Sequence, residues 1–335
     1  MKITYVLDRP ELCGGVKVVF QHAELLRRHG WEATVLGRGA RPTWIDFAGA
    51  YKDYSAGPVT CTAQDLVVAT YWTTLATADA LGLGPLAHFC QGYEGDLVHL
   101  ADARPDIEAA YARPVPTLVV APHLSNLLRR KFGRESRVAP PPLDLRYHPA
   151  WRLRPNRSPW VMIPGIYEAE VKGVATALDA VTQLRREGCP CRVVRLSSLP
   201  LSDEEQARCV PDRYLCGVSP EQVARELRSC DLLLFPSHEM EGFGLPLLEA
   251  MISKVPVIAS RIPSTEFIGG GKIWLVPPRD AHAFAQASRT LLETPARWRR
   301  ARRDGHRAAE RFRANVVGPE LIAALDWAIG RARAA

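Results

Sequence analysis

Glu241 and Glu249 stand eight positions apart, with Gly242 and Gly244 between them, directly after the apolar run 231–236. A buried strand followed by such a loop, and then by a helix from about Leu245, turns free helix-start amides towards the crevice at the strand ends. Pro246 suits the first helical turn, where its missing N–H would have had no intrahelical partner. The two glycines let a ligand approach the backbone closely. Amides and helix dipole hold phosphate there, while each carboxylate accepts hydrogen bonds from a pair of neighbouring hydroxyls. That is the chemistry of gripping a sugar nucleotide. Either glutamate alone would read as a loop cap or an exposed helix residue; it is the pair, behind a buried strand, that makes a site.

The elements that must hold this pair extend along the whole chain. Apolar strand-like runs fall near 2–7, 32–37, 65–71, 85–91, 116–122 and 137–140, and again near 158–164, 192–197, 212–216, 231–236, 255–260 and 273–277. Helix-like amphipathic segments separate them. Val16, Val19, Phe20, Ala23 and Leu26 share one face of such a segment, and Gly30 can cap it. Continuous apolar strands alternating with helices predict an α/β fold of parallel sheets covered on both faces. A chain of 335 residues suits two domains. Prolines 140, 141, 142, 149, 155 and 159 mark the break, giving a first domain over 1–142, a stiff linker over 143–157 and a second domain over 158–314. A last helix within 315–335 could pack back across the junction.

Composition removes several classes. The eight cysteines include no C-x-x-C pair, and Cys189-Pro190-Cys191 lacks the partners of a zinc site. They read as reduced core thiols, with neither a structural metal nor a disulfide framework. No D-x-D pair is present to clamp a cation on a diphosphate. The glycines at 82 and 84 lead into a strand rather than out of one, which is the wrong context for dinucleotide binding. The apolar run before Asp8 is too short for a signal peptide, so a cytoplasmic location is expected. The net charge of +7 is concentrated in the arginines from 297 to 313. They form either a solvated helix face or a surface for anionic lipid headgroups, with Trp298 and Phe312 as anchors. No nucleic-acid-binding motif accompanies them.

The segment from Glu241 to Met251 resembles the E-x7-E signature of the retaining glycosyltransferases of family four. Its continuation through Glu266 to the WLVPPRD stretch is also similar, and the likeness extends more weakly over the first half. The resemblance implies the GT-B fold, two Rossmann-like domains with parallel sheets facing across a cleft. The second would take the nucleotide-sugar donor and the first the acceptor. It assigns Glu249 to the donor ribose, Glu241 to hydroxyls of the transferred sugar, and the amides of Phe243, Gly244 and Leu245 to sugar and phosphate, with Gly242 also on the donor side. Gly14 and Gly15, after Cys13, match the family's first-domain glycine loop, although Gly-Gly is also a generic turn. Lys172-Gly173 matches its phosphate-binding lysine.

Two places depart from the family. The Arg expected about five residues before Lys172 is missing, with Ile166 and Tyr167 in that region, so a diphosphate loses one bidentate cation. Arg195, near the end of the next strand, is the candidate substitute. On the acceptor side Gln91 takes the place of a frequent His, followed by Tyr93 and Glu94, while His88 lies inside its strand as a core residue.

Retention without a protein nucleophile, a donor phosphate oxygen acting as base, and independence from metal or other cofactors are what the resemblance implies. The domains would close over the donor. Expected partners are a nucleotide sugar and a glycan, lipid-linked or small-molecule acceptor, with peripheral contact to an anionic membrane at its inner face. A nucleotide-sugar epimerase or hydrolase on the same scaffold, or a non-catalytic sugar-nucleotide or glycan-binding protein, remains open because fold does not fix function.

Overall fold

The computed structural model describes residues 1–59 and 61–334, which divide into two compact units. The first comprises Met1–Pro142 and the chain from Phe312 onward, and the second comprises Leu143–Arg311. Each is a wholly parallel sheet, with helices in most of its crossovers.

In the first unit the chain runs β1 (Lys2–Val6), α1 (Gly14–Arg28), β2 (Glu32–Gly37), β3 (Ala50–Asp53), β4 (Leu66–Ala69) and α2 (Trp72–Ala80). It continues through β5 (Leu86–Cys90), α3 (Arg104–Ala112), β6 (Thr117–Val119), α4 (Pro122–Phe132) and β7 (Ser136–Val138). The strand order is β3-β2-β1-β4-β5-β6-β7. Every residue of β4 is buried, as is all of β1 beyond Lys2, because helices cover both faces. On α1 the expected stripe of Val16, Val19, Phe20, Ala23 and Leu26 is buried, and Gly30 follows at a left-handed φ of 81°. The short edge strand β3, Ala-Tyr-Lys-Asp, was not among the strands expected from the sequence. It alternates between exposed and half-buried positions, so it carries no apolar run.

The second unit runs β8 (Trp160–Pro164), α5 (Val174–Arg186), β9 (Arg192–Ser197), α6 (Asp203–Arg208), β10 (Arg213–Cys216) and α7 (Pro220–Ser229). Then come β11 (Leu232–Phe235), α8 (Leu245–Ile252), β12 (Val257–Ser260), α9 (Pro263–Gly269), β13 (Trp274–Val276), α10 (Ala281–Glu293) and α11 (Pro295–Ala309). Its order is β10-β9-β8-β11-β12-β13. In both sheets the chain winds outward from one strand and returns to that strand's other side, so the order reverses between β1 and β4 and between β8 and β11. Loops leaving the carboxyl ends of strands at such a reversal are where α/β sheets bind ligands.

The last helix, α12 (Ala314–Ala334), lies against α1 and strands β4 to β7, within the first unit. Among the described residues no helix is long and apolar enough to cross a membrane.

Two expectations need correction here. All eight cysteines are free, but Cys13 and Cys216 are exposed and Cys61 is half-buried, so the thiols are not uniformly core residues. Trp298 and Phe312 are not membrane anchors. Trp298 is wholly buried with its indole N–H donating to the Asp231 carbonyl at 2.8 Å, and Phe312 is 2% exposed. On α11 the helical period groups Trp298 with Ala301, Arg302, Gly305 and Ala309 on the inward face.

Candidate active site

In the second unit β11 ends at Phe235, and the loop beyond Pro236 reaches α8 through Gly244. Gly244 has φ of 107°, and a Cβ there would lie 3.0 Å from the Phe235 ring, so the tight entry into α8 needs glycine. Its carbonyl accepts from the amides of Leu247 and Leu248 at 3.0 and 3.4 Å. As at any helix start, the amides ahead of these have no intrahelical acceptor and face outward along the axis.

Glu241 sits on this loop and is only 7% exposed. Its carboxylate accepts from Lys172 Nζ at 2.9 and 3.2 Å and from Ser237 Oγ at 2.9 Å. Lys172 closes a 3-10 turn over Glu170–Lys172, and Gly173, with φ of 59°, leads from it into α5. A Cβ on Gly173 would come within 2.1 Å of the Pro236 carbonyl oxygen, so only glycine lets the two loops approach. The His238 amide donates to the Val171 carbonyl at 2.8 Å and ties the same loops together. The structure therefore joins Lys172, Gly173, Glu241 and Gly244 from sequence positions far apart.

Glu249 lies further along α8 and is half-buried. The hydroxyl of Tyr147, a side chain 5% exposed, hydrogen-bonds it. Burial, and then the charge of that carboxylate, hold the phenol well above its ordinary range, so it stays a donor. Arg146 pins the Tyr147 segment by binding Asp144 at 2.8 Å and Glu221 of α7 at 3.0 Å. Sequence reading missed Tyr147, Ser237 and His238. Tyr147 falls in the proline-rich stretch read as a spacer, and its partner is remote in sequence. His238 is 6% exposed, and burial followed by nearby Arg279 lowers its pKa.

Arg195 does not replace the missing phosphate-binding arginine. It is wholly buried, its guanidinium paired with Glu205 of α6 and donating to the carbonyls of Ile163, Leu196 and, at 2.8 Å, Gly165. Each of its three guanidinium nitrogens thus donates inside the unit. Tyr167 likewise points to Glu204 and Arg208, at 2.9 and 3.3 Å.

In the first unit Gly14 and Gly15 open α1 behind an extended Cys13, as expected of a glycine loop. Gln91 Nε2 donates to the Gly15 carbonyl at 3.1 Å, and a Cβ on Gly15 would lie 3.3 Å from that nitrogen. The loop after β5 thus meets the start of α1. Glu94 is 9% exposed and accepts from Tyr111 Oη at 2.7 Å, and burial pushes its carboxyl up to about 7. Tyr93 is a packing residue rather than a ligand contact, its ring set edge-on to Tyr111 at 5.0 Å and beneath Lys131 Nζ at 4.4 Å. His88 is fully buried against Tyr111.

Residues 158–294 match the family model described as glycosyl transferases group 1. The matched stretch lies wholly within the second unit. Within the matched residues lie the Lys172–Glu241 pair and Glu249. A 122-residue stretch is 35% identical to the MMP alpha-(1->4)-mannosyltransferase of Mycolicibacterium hassiacum, covering 35% of this chain and 29% of that protein. The chain spans less than half the length of the curated relatives it matches first, at 29, 46 and 42%. In overall fold it is similar to the sucrose-phosphate synthase of Thermosynechococcus elongatus, with a TM-score of 0.78, 19% identity, and 98% of this chain and 99% of that one covered. Anabaena HepE, solved with UDP-glucose, gives a TM-score of 0.77 at 15% identity over 98% of this chain and 100% of its own. The fold of this chain is GT-B, built from two Rossmann-like units with wholly parallel sheets.

Proposed function

We propose that the protein transfers a sugar from a nucleotide diphosphate sugar to an acceptor hydroxyl, with retention at the anomeric carbon. The observation that carries this reading is the cluster at the start of α8. A nearly buried carboxylate, Glu241, lies 2.9 Å from the Lys172 ammonium, beside helix-start amides and on the same α8 segment as the half-buried Glu249. Glu249, steadied by Tyr147, offers oxygen acceptors to the ribose diol. Lys172 and the amides opening α5 and α8 offset negative charge that grows on the departing diphosphate. Glu241 accepts from hydroxyls of the sugar. The acceptor hydroxyl attacks from the leaving group's own face, and a donor phosphate oxygen takes its proton. The protein's share is positioning and electrostatics. The sequence has no D-x-D pair to hold a divalent cation, so the charge is met by Lys172 and backbone amides.

The same reading makes the protein a cytoplasmic enzyme in peripheral contact with the inner face of an anionic membrane. Purified protein incubated with a panel of sugar nucleotides, UDP-glucose first because the HepE complex holds it, tests the activity with and without sugar acceptors. Glycosylated product with the donor's anomeric configuration by NMR, still formed in excess chelator, is the expected result. Donor isomerised without acceptor would indicate an epimerase, and donor bound but unchanged would indicate a binding protein. Loss of transfer on chelation, restored by magnesium or manganese, would overturn metal independence.

A further inference from the structure

Residues 150–153 run across α11 in the second unit, fastened by their backbone. Arg302 donates to the carbonyl of Ala150 and, at 3.1 Å, to that of Arg152, while Arg299 donates to the carbonyl of Leu153 at 3.1 Å. The Ala150 amide reaches the Ser253 carbonyl at 3.1 Å. Arg152 turns its side chain inward to Asp231 at 2.5 Å, so its two neighbours point outward. Trp151 is 87% exposed and Leu153 79% exposed. Two large apolar side chains are thus held in water by a fixed backbone.

Their surroundings carry one sign of charge. Lys254 Nζ lies 4.6 Å over the Trp151 ring. Arg154 and Arg157 are exposed, and no acidic residue occurs from 150 to 158. Arg299, Arg303 and Arg307 recur every four residues on the exposed face of α11, whose only acid is Asp304. Asp304 is matched by Arg300 at 3.3 Å.

An apolar pair ringed by cations has the composition of an interfacial anchor. Trp prefers the headgroup level, and basic side chains gain roughly 1 kcal/mol each near an anionic leaflet. A protein interface of ordinary size buries about 800 Å² per partner around an apolar centre, which two side chains in a basic field do not supply. We infer that this face of the second unit docks on an anionic lipid bilayer, with Trp151 and Leu153 entering the headgroup layer and the arginines of α11 meeting lipid phosphates. Docking here extends the reading of a peripheral enzyme and replaces Trp298 and Phe312, which are buried, with anchors that are exposed. Lipid binding is measured without nucleotide sugar, so its failure would leave glycosyl transfer untouched.

The test is sedimentation of the full chain with vesicles of phosphatidylcholine alone and of phosphatidylcholine mixed equally with phosphatidylglycerol. Binding is expected only to the anionic vesicles and should weaken as salt is raised. Trp151→Ser/Leu153→Ser and, separately, Arg303→Gln/Arg307→Gln should each weaken it by about tenfold or more while melting like wild type. Equal sedimentation with both vesicle types, or a Trp151→Ser/Leu153→Ser variant that binds as wild type does, would overturn the assignment. A wild-type dimer in solution that this variant dissociates, without vesicle binding, would make the face a protein interface and also overturn it.

Discussion

Lys172 Nζ bonds both carboxylate oxygens of Glu241, at 2.9 and 3.2 Å, across two loops that begin at neighbouring strands. The lysine is about a third exposed and the glutamate nearly buried, so the cation lies on the open side of the pair. A diphosphate meeting the ammonium gains a charged hydrogen bond that a bare nucleoside does not. Lys172→Ala should weaken nucleoside diphosphate binding by about tenfold or more and leave nucleoside binding unchanged. Titration of both ligands by calorimetry checks this, and an unchanged diphosphate affinity would remove Lys172 from the phosphate role. The variant should also melt lower because it strands a buried carboxylate, and Glu241→Gln in the same background should recover part of that loss.

Glu249 and Tyr147 form a second coupled pair. Glu249→Gln should cost about tenfold in affinity for the uncharged nucleoside, on the scale of a charge-assisted hydrogen bond of roughly 1.5–3 kcal/mol. Tyr147→Phe should cost severalfold alone and almost nothing in the Glu249→Gln background. A double-mutant cycle on nucleoside binding measures that coupling, and strictly additive losses would show that the phenol does not orient the carboxylate.

Arg195 should matter for stability and not for ligand. Arg195→Met leaves Glu205, which is 1% exposed, without its cation, at a cost of about 3–5 kcal/mol. Urea unfolding of Arg195→Met and of Arg195→Met/Glu205→Gln should show the loss and its partial recovery. Nucleoside diphosphate affinity below the transition should match wild type.

The carboxyl of Glu94 titrates near 7 when folded, against 4.5 ordinarily. The folded state therefore holds a proton that the unfolded chain has released between those two values, and stability falls as pH rises through that window. The loss amounts to on the order of 3 kcal/mol by linkage. Glu94→Gln, which carries no titrating proton, should flatten this part of the curve. Urea midpoints measured from about pH 4.5 to about pH 8 decide it, and parallel curves for wild type and variant would count against a buried neutral Glu94.

Legibility in the sequence followed local signals. The run LLLF of β11, with Pro and Gly after it, announces a strand, a loop and a helix start, and so puts Glu241 on the loop and Glu249 on the helix. Lys172 was legible by its position between β8 and α5. Arg195 was misread because a cation near a strand end looks available, and its partner Glu205 arrives on α6 only through tertiary packing. Tyr147 and Ser237 carry no local signal, since their work is done by distant partners. Trp298 was legible in principle, because the helical period already placed it with Ala301, Gly305 and Ala309. The strand β3 was hidden by its Lys and Asp, which an edge position tolerates.

The return of α12 to the first unit has a consequence for synthesis. The ribosome completes the whole second unit before it supplies the helix that rests on β4 to β7. Units generally fold as they emerge, amino-terminal ones first, but here the earlier unit is completed only by α12, which follows the second unit in the chain. The second unit is continuous in sequence over Leu143–Arg311, whereas any fragment stopping at residue 311 leaves the first sheet without one of its covers.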